Sequence, residues 1–234
     1  MAKSAQIDVR QLSYKAEIAT IAETLKGPAL QIGSRTQVID RKVKGRLTWR
    51  ERLKHAEFTG ADLEKGENVE AVFDVTWSLD LIEETLPNAK RFKTIICSHL
   101  LEHVTNPFQA ARNISDLLEP GGVAFIQVPW VQAFHAFPDD FWRISFSGLQ
   151  VLFDELEPVD AMYSGGSSDV CYRLLRGGKP ALDKEALQHE ADIFQIMLDQ
   201  QSNIGLLKRL NSAAYLSRAY MPACVLTWLA RKPE

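Results

Sequence analysis

The sequence predicts an α/β fold built on a doubly wound, mostly parallel sheet with helices on both faces. Three observations carry that prediction. Short apolar runs alternate with helical periodicities from residue 29 to residue 164, as successive βαβ units require. The run Cys97-Ser98-His99-Leu100-Leu101-Glu102-His103-Val104 sets ionisable residues just past an apolar stretch. The turn Pro120-Gly121-Gly122 then feeds a second apolar stretch that ends at Pro129. This is a βαβ unit with its chemistry at the carboxyl end of a strand, the edge where open α/β sheets bind ligands.

Taken in order, residues Ser4 to Lys26 are expected to be helical, because Ile7, Leu12, Ile18, Ile21 and Leu25 fall toward one face. Gly27-Pro28 stops that helix. Strands are expected at Ala29–Gly33, Glu57–Asp62, Glu70–Val75 and Arg91–Cys97. Asn106 is a good helix N-cap and Pro107 suits the first helical position. Phe108, Ala111, Ile114, Leu117 and Leu118 form the apolar stripe of that helix. The fifth strand follows Gly122. Ser145 caps a further helix through Leu149, Leu152 and Phe153, and a sixth strand runs from Val159 to Ser164. Residues Ala181 to Asn211 read as a helical insertion or cap, and Cys224 to Ala230 as an apolar last strand. No linker-like segment divides residues 1–234, so a single domain is expected.

Composition narrows the function classes. A hydrophobic share of 46% and a charged share of 24% are ordinary for a globular protein. The net charge of -3 gives no argument for nucleic acid or an anionic membrane. Cys97, Cys171 and Cys224 contain no Cys-x-x-Cys pair. A disulfide framework and a zinc site are therefore not expected, no metal is assigned, and a reducing cytoplasm fits. No apolar run is long enough to span a bilayer. The basic run Arg41, Lys42, Lys44, Arg46, Arg50, Arg52 and Lys54 reads as a solvated face, with Trp49 alone available for base stacking. Trp77, Trp228 and the three cysteines read as packing residues.

With these residues assembled, the chain resembles the class I S-adenosylmethionine-dependent methyltransferases, in the branch similar to methyltransferase type 11. The resemblance rests on Leu101-Glu102-His103 and on Leu118-Glu119-Pro120-Gly121-Gly122, and it runs from about Ala29 to Phe153. It implies a Rossmann-like sheet with an antiparallel last strand, S-adenosyl-L-methionine as cofactor, and a small or conjugated methyl acceptor. It also implies roles. Gly33, Ser34 and Arg35 would approach the methionine part of the cofactor. Asp62, with Leu63 beside it, would accept from the ribose hydroxyls, since a carboxylate serves both hydroxyls of a vicinal diol. Asp74 and Val75 would flank adenine, and Ser98 and His99 would line the methyl-transfer side. One departure stands out. Members of the family usually carry an acidic residue before a Gly-x-Gly-x-Gly loop, and here Gln31-Ile32-Gly33-Ser34-Arg35 keeps one glycine of that loop.

The segment Trp130 to Arg143 follows the fifth strand and reads as a substrate loop. It carries His135, Pro138, Asp140 and Arg143 in a pattern similar to that of relatives. His135 is the candidate general base, since its ordinary pKa lies near neutrality. Asp139 or Asp140 would orient it, and Arg143 would hold a substrate anion. The alternative pairs Arg143 with an aspartate and closes the core with the aromatics. Glu102 and His103 are read either as a site-lining pair or as a helix-entry hydrogen bond beside a solvent-facing histidine. The function expected is methyl transfer to an oxygen or nitrogen. The alternative is a non-catalytic binding protein on the same fold. A nicotinamide oxidoreductase is disfavoured, because pyrophosphate needs the absent Gly-x-Gly-x-x-Gly turn. A homodimer is left open.

Overall fold

The computed structural model describes residues 11–35, 47–88, 90–135, 139–165, 169–181 and 223–234. The expected helix at 181–211 lies outside them but for Ala181, as do the first ten residues and the start of the basic run. In chain order the elements are β1 (Gln11–Leu12), α1 (Tyr14–Thr24), β2 (Ala29–Ile32), α2 (Trp49–Arg52), β3 (Phe58–Asp62), β4 (Ala71–Val72), α3 (Leu79–Thr85) and β5 (Phe92–Ser98). A short 3-10 turn at Leu101–His103 precedes α4 (Pro107–Leu117), β6 (Leu118–Val131) and α5 (Phe146–Leu152). The chain then forms β7 (Glu157–Gly165), β8 (Cys171–Arg176), β9 (Lys179–Pro180) and β10 (Cys224–Arg231).

One sheet runs in the order β1-β8-β7-β10-β6-β5-β2-β3-β4. The strands from β6 to β4 pair in parallel. β10 enters antiparallel between β6 and β7, as the resemblance implies. Alternate residues serve opposite faces, as the pleat requires. Ile95, Cys97, Ala124 and Ile126 pack on the side of α3, α4 and α5. Ile96 and Phe125 pack on the other side, against Ile18 and Ile21 of α1 and Trp49 and Leu53. The helices thus cover both faces.

α4 forms as its sequence dictates. The Asn106 side chain accepts from the Gln109 N–H at 3.1 Å, and Ala111, Ile114 and Leu117 are buried. Phe108, expected in the stripe, is exposed instead. Ser145 caps α5 by accepting from the Gly148 N–H. Four further readings are corrected. α1 begins at Tyr14 because Ser13 caps it, accepting from the Ala16 N–H, while Leu12 pairs with Cys171 as strand. The third parallel strand is only Ala71–Val72; Phe73 and Val75 are buried beyond it. α3, β8 and β9 were not expected. Trp77 is exposed, whereas Trp228 is fully buried beside Phe153. The three cysteines are buried and unpaired. Burial pushes the Cys97 thiol up and raises Cys171 to about 12, so neither supplies a thiolate at neutral pH.

Candidate active site

The carboxyl ends of the parallel strands bring most of the expected residues to one rim. Gly33 follows β2 with φ +76°, a left-handed conformation that favours glycine. A Cβ there would also meet Leu100 Cδ1 at 3.1 Å. Ser34 donates to the Asn68 carbonyl at 2.7 Å, which ties the loop to the next crossover. Asp62 ends β3 and accepts from the Arg35 and Glu64 N–H groups at 3.1 and 3.3 Å. A carboxylate has about four acceptor positions, so Asp62 keeps capacity for a diol. Arg35 pairs with Glu64. Leu63 is exposed beside Asp62. Asp74 accepts from the Thr76 N–H and hydroxyl at 2.8 and 2.7 Å. The Val75 side chain is core; its carbonyl accepts from Asn113, which also holds the Trp77 carbonyl. Ser98 donates to Gln127 Oε1 at 2.9 Å.

Past β5 lies a cluster around Glu102. The Glu102 side chain is fully buried, and among the described residues neither carboxylate oxygen has a hydrogen-bond partner. Three imidazoles face its Oε1: His99 Nδ1 at 3.6 Å, His103 Nε2 at 3.7 Å and His135 Nε2 at 4.0 Å. His99 has φ +52°, and its N–H donates to the Gln127 carbonyl. His103 and His135 meet edge to face, with ring centroids 5.0 Å apart. The loop after β6 folds back over this turn. The Phe141 and Trp142 N–H groups donate to the Glu102 carbonyl, and Trp142 Nε1 donates to that of Val104. His99, His103 and His135 all lie on this rim, and only the fold shows that they converge on Glu102. His103 is half-buried rather than solvent-facing, and Glu102 makes no helix-entry hydrogen bond.

A family profile described as a methyltransferase domain matches residues 32–157. The chain belongs to the methyltransferase-domain family. The match spans the rim and the Glu102 cluster. No curated protein matches the chain. Among solved structures, a candidate methyltransferase from Bacillus halodurans C-125 is 12% identical, covers 94% of this chain and 98% of its own, and has a TM-score of 0.54. A SAM-dependent methyltransferase from Archaeoglobus fulgidus is 16% identical, covers 93% and 92%, and has a TM-score of 0.51. The YcgJ protein of Bacillus subtilis is 14% identical, covers 94% and 97%, and has a TM-score of 0.50. At such identities the likeness is one of fold.

In this methyltransferase domain the loop after β6 is held by a clamp. Arg143 donates two hydrogen bonds to Asp140, at 2.5 and 2.6 Å, and more to the Gln132 and Ala133 carbonyls. The guanidinium holds the Asp140 carboxyl well below the usual carboxylate range. Asp140 also accepts from the His135 N–H at 2.9 Å and lies 3.3 Å from its Nδ1. Asp140 thus holds the His135 main chain and faces its ring, while Arg143 bonds Asp140 and the loop carbonyls. Phe134, Phe141 and Trp142 are exposed on the same loop. Trp142 and Arg143 also border an open cavity of about 400 Å³ between the start of α4 and α5. Sequence reasoning missed Asn113, which holds the segment after β4, and Gln127, which joins Ser98 to Tyr14 and Thr227. Both are polar residues in apolar runs, which was the available signal.

Proposed function

We propose that the protein transfers a methyl group from S-adenosylmethionine to an oxygen or nitrogen of a small or conjugated acceptor. The observation that carries this reading is the Glu102 cluster, set beside the Gly33–Asp62 edge on one rim of a methyltransferase fold. Gly33, Asp62 and Asp74 belong to the cofactor side, and the residues past β5 and β6 to the acceptor side. As the S–CH3 bond breaks, the new bond forms to the acceptor, and the acceptor gives up a proton. The sulfonium is already a good electrophile, so the protein's tasks are alignment and proton removal. His135, oriented by Asp140, belongs to the centre that takes that proton.

The test is thermal stability with and without S-adenosylhomocysteine, with NAD as control. At about 100 times its dissociation constant, a ligand stabilises the native state by about 2.7 kcal/mol. A shift with S-adenosylhomocysteine alone supports the reading. Asp62→Ala is expected to weaken that binding by about 1–3 kcal/mol, because two hydroxyls lose a charged acceptor. No shift at millimolar ligand would favour the non-catalytic reading, in which the single-glycine loop no longer holds the cofactor.

A further inference from the structure

Two of the three imidazoles around Glu102, those of His103 and His135, turn acceptor nitrogens toward its carboxylate, and His99 approaches the same oxygen with Nδ1 at 3.6 Å. His103 Nδ1 lies 2.5 Å from the Asp139 carbonyl, so that nitrogen carries the proton and donates. His135 Nδ1 lies 3.3 Å from both the Ala133 carbonyl and the Asp140 carboxylate, so it too is the donor. Each ring therefore turns the lone pair of its Nε2 toward Glu102, whose buried carboxylate is itself acceptor-only when ionised. One ligand atom from each of Glu102, His103 and His135 lies within 4.8 Å of the others. Two imidazole lone pairs facing a buried carboxylate form an acceptor set that a cation would satisfy.

We propose that Glu102, His103 and His135 bind a divalent transition-metal ion of the zinc class. Two imidazoles and one carboxylate form a set that leaves a coordination position open. The Glu–His separations of 3.7 and 4.0 Å lie near the roughly 3.4 Å edge of a tetrahedron with bonds of about 2.1 Å. The outer contacts match what metal-bound histidines need. The Asp139 carbonyl orients one ring and the Asp140 carboxylate, itself locked by Arg143, orients the other. The nitrogen donors favour zinc over magnesium, which prefers oxygen. The sequence reading assigned no metal because it looked to cysteine spacing, and His135 reaches the set only through the returning loop.

The consequence for the acceptor rests on the methyl-transfer reading. An acceptor hydroxyl at the open position would be acidified by the ion. With the ion bound, His135 is a ligand and no longer the base; the proton would leave to solvent past His99, which faces Glu102 and is 41% exposed at its side chain. The resulting alkoxide would take the methyl group as the S–CH3 bond breaks. The acceptor class is thus an alcohol or phenol.

The experiment uses the untagged full-length chain, stripped with EDTA and titrated with Zn2+ alone by calorimetry, and with Co2+ followed by its visible absorption. One equivalent of Zn2+ is expected, with Co2+ bands of a four- or five-coordinate site, and excess Mg2+ should not displace either ion. His135→Ala and Glu102→Gln should each weaken Zn2+ binding at least about 100-fold, whereas His55→Ala, on an exposed histidine elsewhere, should leave it unchanged. Should Glu102→Gln fail to fold, His135→Ala carries the test, because that ring sits on a partly exposed loop. Absence of a bound equivalent, or binding that survives both His103→Ala and His135→Ala, overturns the proposal. S-adenosylhomocysteine binding, measured on the stripped chain, separates the two readings. If it is retained without Zn2+ binding, the metal site alone falls. If Zn2+ binds and the cofactor does not, the acceptor step alone falls.

Discussion

Glu102 is a costly side chain to bury. Its carboxylate is fully buried, and among the described residues it accepts no hydrogen bond. Burying such a group without a partner destabilises the fold, and an apolar residue of similar size is commonly better tolerated. In the metal-free chain Glu102→Leu is therefore expected to stabilise the fold by about 1–3 kcal/mol. For a chain of this size each kcal/mol moves the midpoint by about 2–4 °C. Calorimetry of the EDTA-stripped variant checks this; a lower midpoint would mean that the carboxylate has a structural role. The sequence showed the residue types of this cluster, since His99, Glu102 and His103 share one short run. It did not show their convergence. That depends on the Phe141 and Trp142 N–H groups returning to the Glu102 carbonyl, a contact that no local pattern encodes.

At the scale of elements, the loop after β6 is organised by the Asp140–Arg143 clamp. The Asp140 pKa is lowered in the fold, chiefly by the hydrogen bonds from Arg143. A lowered carboxyl pKa contributes stability that is present above the unfolded value of about 3.9. That contribution is lost as pH falls through the folded value. Asp140→Asn is therefore expected to be less stable than the parent by about 1–3 kcal/mol at pH 7. The gap should begin to narrow below about pH 4, where the unfolded parent takes up a proton that the folded one still resists, and go on narrowing as pH falls toward the folded value. Denaturant midpoints from pH 7 to pH 2 report it, and a gap that stays constant with pH would remove the ionised pair as its cause. Which elements were legible follows from where their determinants lie. α4 and α5 were read because Asn106 and Ser145 are local caps. α3 was missed because it is one short helix with Ile82 as its single buried residue. β8 was missed because Arg173 interrupts its apolar run. That residue is buried only because Glu17 and Asp160, from α1 and β7, meet it.

At the scale of the whole molecule, β10 joins two kinds of sheet. On one side it pairs with β6, the last of the parallel strands, and on the other with β7, which leads to β8 and β1. Trp228 sits at the middle of β10, opposite Ile126 and Ala161, with its ring fully buried and 5.4 Å from that of Phe153. The single domain expected from the absence of linkers becomes a physical proposal here: if the sheet unfolds as one unit, damage at the joint must be felt on both sides of it. Trp228→Ala leaves a large cavity and is expected to cost about 3–5 kcal/mol. Native-state hydrogen exchange then decides how that loss is distributed. For one cooperative sheet, the slow amides of β5, two strands away on the parallel side, and those of β7 should lose protection by the same free energy. Loss confined to β7, β8 and β10, with β2 and β5 unchanged, would instead mean that the parallel half carrying the rim is stable without its antiparallel extension. The active-site scaffold would then be the smaller unit, since Gly33, Asp62 and the Glu102 turn all hang from strands on that side of the joint.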